Sequence, residues 1–137
     1  MATIKAGCFL IDTKNKKIAL IYRANKKDYS FPKGHAEDGE NVKVCAIRET
    51  EEETKRKPII IDEFEPYVEK YTTDKGEACE CHMFFAYDGG VSDNQSTDTH
   101  ELVWTDFDKV EQTLSYESLK ATWNCVKTKV EKALKSH

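Results

Sequence analysis

Seven carboxylates crowd one short stretch of this chain: Glu37, Asp38, Glu40, Glu49, Glu51, Glu52 and Glu53, against two cations, Lys43 and Arg48. Like charges packed this closely repel, and a hard divalent cation bound through oxygen is the usual reason to tolerate them. On a helix, residues at i, i+3 and i+4 share a face. Glu49, Glu52 and Glu53 stand in that relation, so their carboxyl groups are expected to converge on one small volume. That donor set suits Mg²⁺ or Mn²⁺ better than zinc, which prefers histidine and cysteine. Arg48, one turn before Glu52, is placed to brace it with a charge-assisted bond. A solvated acidic face is the competing reading of any glutamate-rich run. Here, however, Gly34, Glu40 and the Arg48-Glu49 pair stand at defined offsets that a solvated surface does not require.

Taken with those offsets, the segment resembles the signature of the Nudix hydrolases, G-x5-E-x7-R-E-U-x-E-E-x-G-U, where U is aliphatic. Gly34, Glu40, Arg48, Glu49, Glu52 and Glu53 fill its glycine and polar positions in register. Three positions depart from it: Thr50 and Arg56 replace aliphatic residues, and Lys55 replaces the second glycine. None of the three is an expected metal ligand. Without that glycine another device must stop the helix. Pro58 is the expected one, because the residue before a proline avoids the helical region.

The resemblance implies an α/β fold, a Nudix-type α/β/α sandwich with a mixed central sheet and a loop-helix-loop catalytic motif. It implies metal-dependent hydrolysis of a nucleoside diphosphate linked to another group, and Mg²⁺ or Mn²⁺ as cofactor. By the same likeness Glu52 and Glu53 are metal ligands, Glu49 is ligand or base, and the Gly34 carbonyl adds a ligand. Glu40 and Arg48 hold the loop against the helix. The general base is Glu49 or a distant glutamate, for which Glu101, after a long polar loop, is the candidate. His100 beside it is placed to bind phosphate or to titrate near neutrality.

The run Tyr29-Ser30-Phe31-Pro32-Lys33-Gly34-His35 is similar to the segment before the signature in asymmetric diadenosine tetraphosphate hydrolases and in diphosphoinositol polyphosphate phosphohydrolases. It makes Lys33 and His35 substrate-binding candidates at the mouth of the metal site. Tyr29 and Tyr71 are candidates to stack on adenine, since aromatic faces bind bases with little sequence demand. The expected substrate is a dinucleoside polyphosphate such as diadenosine tetraphosphate, cleaved to ATP and AMP. The alternatives are a sanitising nucleoside triphosphate pyrophosphatase, a diphosphoinositol polyphosphate phosphohydrolase and an RNA 5′-end pyrophosphohydrolase. A non-catalytic nucleotide-binding module of the same fold is the reading from another class, and an intact Glu49-Glu52-Glu53 set speaks against it.

The elements that must position these residues alternate between strand and helix. Strands are expected over Thr3 to Ile11 and Lys17 to Tyr22, and a loop over Ala24 to Lys33. The acidic helix should run from Asn41 to about Lys55, with Val44, Cys45, Ala46 and Ile47 as its apolar contribution. Pro58 to Phe64 reads as a strand. Tyr67 to Thr73 and Ala78 to Tyr87 should pair across the turn Asp74-Lys75-Gly76. Asp88 to Thr99 reads as a polar loop, followed by a short strand, Leu102 to Trp104; by the same resemblance a short helix is expected near Val110. From Glu117 to Leu134, apolar residues recur at Leu119, Trp123, Val126, Val130 and Leu134, one helical stripe suited to packing on a sheet.

Composition bounds the rest. At 137 residues the chain has material for one core, so a single domain over residues 1–137 is expected. A net charge of −4 argues against general nucleic-acid binding, which needs a basic surface. It leaves anionic small molecules open, because a bound metal reverses the local field. Five cysteines cannot all pair within one chain, and without a CxxC pair they read as reduced thiols of a cytoplasmic protein. No stretch has the length of a membrane span or the order of a signal peptide. The partners expected are a nucleotide or another diphosphate-containing small molecule, no membrane, and at most a second copy of the chain (monomer or homodimer).

Overall fold

The computed structural model describes residues 2–94, 96 and 100–136. Alternating burial in the first strand sets the layering. In β1 (Thr3–Asp12), Ala6, Cys8 and Leu10 point to one face of the sheet and Phe9 and Ile11 to the other, all fully buried. A strand buried on both faces lies at the centre of a layered fold. β1 pairs in parallel with β7 (Ala78–Val91) from Thr3↔Cys79 to Ile11↔Tyr87.

Around this pair the sheet is mixed. β2 (Lys17–Arg23) runs antiparallel to the end of β1 and carries β3 (Asp28–Ser30) and β8 (Glu101–Asp106). β4 (Lys33–His35) pairs with the first half of β1. β5 (Arg56–Ile60) and β6 (Tyr67–Thr72) pair with opposite ends of β7. The expected hairpin between β6 and β7 is present, and Gly76 supplies its positive φ of 82°.

Two helices cover the two faces. α3 (Glu117–Lys135) presents Trp123, Val126, Val130 and Leu134 to Phe9, Ile11, Ile18, Leu20, Phe31 and Phe85, with Leu119 partly buried beside them. The expected stripe is thus the one that packs. The other face is floored by small residues, Ala6, Cys8, Ala19 and Ala86, against Cys45 and Ala46 of α1 (Val42–Thr54). Small side chains on both surfaces let the acidic helix lie close to the sheet, which places its carboxylates at the β4 edge. The expected short helix follows β8 as a 3-10 turn, Phe107–Lys109, continued by α2 (Val110–Thr113).

Several boundaries differ from the sequence reading. The segment read as a loop before Lys33 carries β3, because Arg23 and Asp28 pair across it with a bidentate ion pair. The strand read as Pro58 to Phe64 begins and ends earlier, at Arg56–Ile60, with a register irregularity between Arg56 and Pro58. Arg56 pairs with Asp88, which draws β7 out to Val91 through a stretch read as loop. Pro58 therefore stops no helix. Lys55 does so, in the left-handed conformation (φ 60°, ψ 28°), its N–H bonded to the Glu51 carbonyl. Within α1, Val44 is 55 % exposed. The inward stripe is instead Cys45, Ala46, Thr50 and Glu53, the i, i+1, i+5, i+8 set that one helical face allows.

Candidate active site

Two close approaches build the site. A Cβ on Gly7 would lie 2.0 Å from the Pro32 carbonyl oxygen and 2.7 Å from the Lys33 Cα, so only glycine lets β4 lie against β1. A Cβ on Gly34 would lie 1.7 Å from Glu49 Oε2. The Glu49 carboxylate therefore rests on the bare backbone of the signature's first glycine, across the gap from α1 to β4. Asn41 caps the helix, its side chain accepting from the Lys43 and Val44 N–H groups.

Arg48 is the hub of the acidic segment. Its Nε donates to Glu40 Oε2 at 2.8 Å and its Nη2 to Glu40 Oε1 at 2.9 Å, the two-point geometry that makes arginine–carboxylate pairs strong. Its Nη1 donates to Glu49 Oε1 at 2.7 Å and to Glu52 Oε1 at 3.0 Å. Nη2 also reaches the His35 carbonyl at 3.1 Å. The bonds from Arg48, helped by the Glu37 N–H, hold the Glu40 carboxyl down to about 2. In return these carboxylates push the Arg48 guanidinium up. With Glu37 Oε1 3.4 Å from its Nε, one guanidinium thus gathers four carboxylates and the β4 backbone.

Glu53 faces inward and is 7 % exposed. Its Oε1 accepts from the Lys33 N–H at 3.1 Å, and Oε2 lies 3.6 Å from His100 Nδ1. Among the described residues, no group of three or more His, Cys, Asp or Glu side chains is gathered as a metal cage. The expected convergence of Glu49, Glu52 and Glu53 is replaced by a division. Arg48 draws Glu49 and Glu52, while the Lys33 backbone draws Glu53.

A cleft of about 710 Å³ opens over this arrangement, and Gly34, Glu49 and Glu53 line it. So do the expected substrate-binding residues Lys33, His35, Tyr71 and His100. Burial pushes the Tyr71 phenol up to about 12, so it is a neutral ring and donor near neutral pH. Glu52 does not line the cleft; its side chain, 29 % exposed, lies on Arg48. Tyr29 is also outside it, packed on Tyr22 with ring centroids 4.8 Å apart. Successive strand residues point to opposite faces, so Ser30 enters the cleft and Tyr29 turns away. His100 lines the cleft, whereas Glu101 is exposed and sits opposite Tyr22 in the ladder.

Among the charged and aromatic lining residues, Lys5, Arg23, Glu69, Lys70 and Tyr116 had drawn no attention in the sequence. They come from β1, β2, β6 and the start of α3, and no local spacing connects them. All five cysteines are free, four of them buried. Burial pushes the Cys8 thiol up to about 12 and Cys45 up to about 11, so neither is a nucleophile near neutral pH.

The mixed sheet between two helices and the glycine–glutamate–arginine site at one sheet edge define a known class. The chain matches the NUDIX domain over residues 1–124, and it belongs to the Nudix family. It is a pyrophosphohydrolase by that domain. Members of this family generally use divalent metal ions. A Nudix hydrolase from Nitrosomonas europaea superposes with a TM-score of 0.72 at 15% identity, over 97% of this chain and 90% of that one. An Ap4A hydrolase from C. elegans, in a binary complex, gives 0.71 at 18% identity, over 96% and 98%. The MutT protein of Bacillus halodurans gives 0.64 at 20% identity, over 91% and 82%. At these identities the three are similar to this chain in fold. No curated protein matches it in sequence. No helix among the described residues is long and apolar enough to cross a membrane.

Proposed function

We propose that the chain is a divalent-metal-dependent hydrolase of diphosphate linkages whose substrate is a dinucleoside polyphosphate such as diadenosine tetraphosphate, cleaved to ATP and AMP. The observation that carries this reading is the make-up of one cleft. Carboxylates of α1, the cations Lys33 and Lys70, and the Tyr71 ring all line it. A polyphosphate chain needs cations along its length, and an adenine needs an aromatic face. The similarity in fold to an Ap4A hydrolase supports the choice of substrate.

Mg²⁺ or Mn²⁺ would be held by Glu49, Glu53 and the Gly34 carbonyl at the cleft, and by Glu52 once its carboxylate turns from Arg48. The donor chemistry fits a hard ion, being all oxygen. Gly34, where any Cβ would strike Glu49, lets that carboxylate lie directly against the β4 backbone. When bound, such an ion neutralises phosphate charge and acidifies a water. The chain's own residues do the rest. Arg48 fixes the direction of Glu49. The Lys33 N–H fixes Glu53. Of the two carboxylates considered as general base, Glu49 lines the cleft and Glu101 does not. A base must come within hydrogen-bond reach of the proton it takes, so Glu49 is assigned that role. Lys33, His35 and His100 bind phosphate oxygens.

The test is ion-exchange analysis of products after incubation with diadenosine tetraphosphate and Mg²⁺, with Glu52→Gln alongside. ATP plus AMP from the wild type alone is the expected result. No turnover of this substrate, with turnover of nucleoside triphosphates, would replace the reading by a triphosphate pyrophosphatase. Manganese binding followed by electron paramagnetic resonance tests the metal site without reference to activity.

A further inference from the structure

Among the described residues, three carboxylates line the cleft: Glu49, Glu53 and Glu69. Two belong to α1 and are held in place, Glu49 by Arg48 and Glu53 by the Lys33 N–H. The third comes from β6 and is held far less. None of the ion pairs among the described residues involves Glu69, although Lys5, Lys33 and Lys70 line the same cleft. Its carboxylate takes one hydrogen bond there, and that a shared one. Thr122 Oγ1 lies 3.4 Å from Glu69 Oε2 and 3.1 Å from the Ser118 carbonyl oxygen, with a single hydrogen to give to both. A carboxylate accepts at about four lone-pair sites, so most of the capacity of Glu69 is open to the cleft.

The placement of Glu69 narrows what can use it. β6 alternates half-buried and exposed residues, and Tyr67, Glu69 and Tyr71 share its half-buried side. In the ladder Glu69 stands opposite Cys81 and Tyr71 opposite Cys79. The carboxylate therefore enters the cleft beside the Tyr71 ring, about 6.5 Å along the strand, twice the rise per residue. Phosphate oxygens do not suit it, because like charges repel. A donor does, and a nucleobase stacked on Tyr71 carries its donors along its edge. The purines differ there. Guanine presents two adjacent donors, the N1–H and the 2-amino group, whereas adenine presents its 6-amino donor beside the N1 acceptor. Two carboxylate oxygens match the first pattern. Against the second, one oxygen bonds and the other meets a lone pair.

We propose that Glu69 is a specificity-determining residue: its carboxylate accepts from the N1–H and 2-amino group of a guanine stacked on Tyr71, so the site prefers guanosine to adenosine nucleotides. The inference rests on the reading of this cleft as the substrate site, and it ranks dinucleoside polyphosphates that carry guanine above diadenosine tetraphosphate. A site built to pair with two donors rejects a base that leaves one acceptor unpaired. Reversal is available at the same position. Glutamine has the shape of glutamate but one acceptor and one donor, the pattern that complements adenine.

The test is calorimetric titration, with Mg²⁺, of two α,β-methylene triphosphates, one of guanosine and one of adenosine. Their phosphate chains are identical, and the methylene bridge resists cleavage. The wild type is expected to bind the guanosine analogue about tenfold more tightly, the size of one charge-assisted bond. Glu69→Gln should reverse the order, and Glu69→Ala should bring the two affinities together. The readout is a ratio within one protein, so a general loss of stability does not move it. Equal affinities in the wild type, or a preference for adenosine, overturn the proposal; a carboxylate that held ribose hydroxyls or merely balanced the lysines would give equal ones. So does a guanosine preference that survives in Glu69→Gln, and so does a wild type that binds neither analogue. If Glu69→Gln does not fold, the inosine analogue decides on the wild type. It keeps the N1–H and lacks the 2-amino group, so it should bind less tightly than the guanosine analogue, and equal binding overturns the proposal. Failure of the substrate reading shows separately: neither diadenosine nor diguanosine tetraphosphate is cleaved, whatever the ratio of affinities.

Discussion

Gly34→Ala isolates the contact on which the proposed catalytic geometry depends. Ordinary Cβ atoms do not approach a neighbour closer than 3.0 Å, and the new methyl would meet Glu49 Oε2 at 1.7 Å, Cδ at 2.2 Å and Cγ at 2.9 Å. The atoms in the way belong to a side chain, so the protein need not unfold to relieve the clash. Glu49 must swing aside, and its carboxylate moves by more than about 1 Å, a misplacement that costs on the order of 100-fold in rate when a catalytic group suffers it. Overpacking at a site that yields in this way costs about 1 kcal/mol, a fall of roughly 2–8 °C in melting temperature. The expected outcome is thus a folded protein, slightly less stable, with kcat down about 100-fold and weaker manganese binding by electron paramagnetic resonance. Glu49→Ala in the same background should add little, because the carboxylate is already displaced. A Gly34→Ala protein with near-normal kcat would refute the placement of Glu49 against β4 as a functional requirement.

Other outcomes follow from the same geometry. Glu52→Gln should lower turnover by about 100-fold or more with an unchanged melting curve, since it removes one charged ligand from a site that stabilises transition-state charge; near-normal turnover would remove Glu52 from the site. Lys55→Gly should raise stability by about 0.5–1 kcal/mol in urea unfolding, because it relieves a left-handed non-glycine residue. A loss instead would mean that the bond from the Lys55 amine to the Glu52 carbonyl outweighs the strain. Arg48 holds the Glu40 carboxyl down to about 2 from 4.5, so the stability it confers is present above 4.5 and is lost as pH falls towards 2. Unfolding of Glu40→Gln should accordingly depend less on pH across that window than the wild type does, and parallel curves would dismiss the Arg48–Glu40 linkage.

Much of this protein was legible in one dimension. Helical spacing marks α1, but not where it stops. The apolar stripe of α3 identifies the face that packs, because 3.6-residue periodicity is local. The signature places Gly34, Glu40, Arg48, Glu49, Glu52 and Glu53 in order, since each lies within one loop-helix-loop and their offsets follow from helix geometry. Lys33 and His35 adjoin it and share its location. What the tertiary structure decided was of another kind. Which way Glu101 faces depends on the pleat of β8 against β2, and one residue of register reverses it. The same parity puts Ser30 in the cleft and Tyr29 outside it. The joining of Arg23, Asp28 and Tyr116 depends on the start of α3 docking beside β3, across a sequence separation that no spacing rule spans. Lys55 stops α1 because β5 begins at the next residue and the chain must reverse there, a demand set by pairing with β7 and not by Pro58. The sequence by itself determined the acidic loop-helix-loop segment, whose geometry is local. The rest of the cleft is a property of the sheet, where strand pairing distant in the chain chooses which side of each residue faces the substrate.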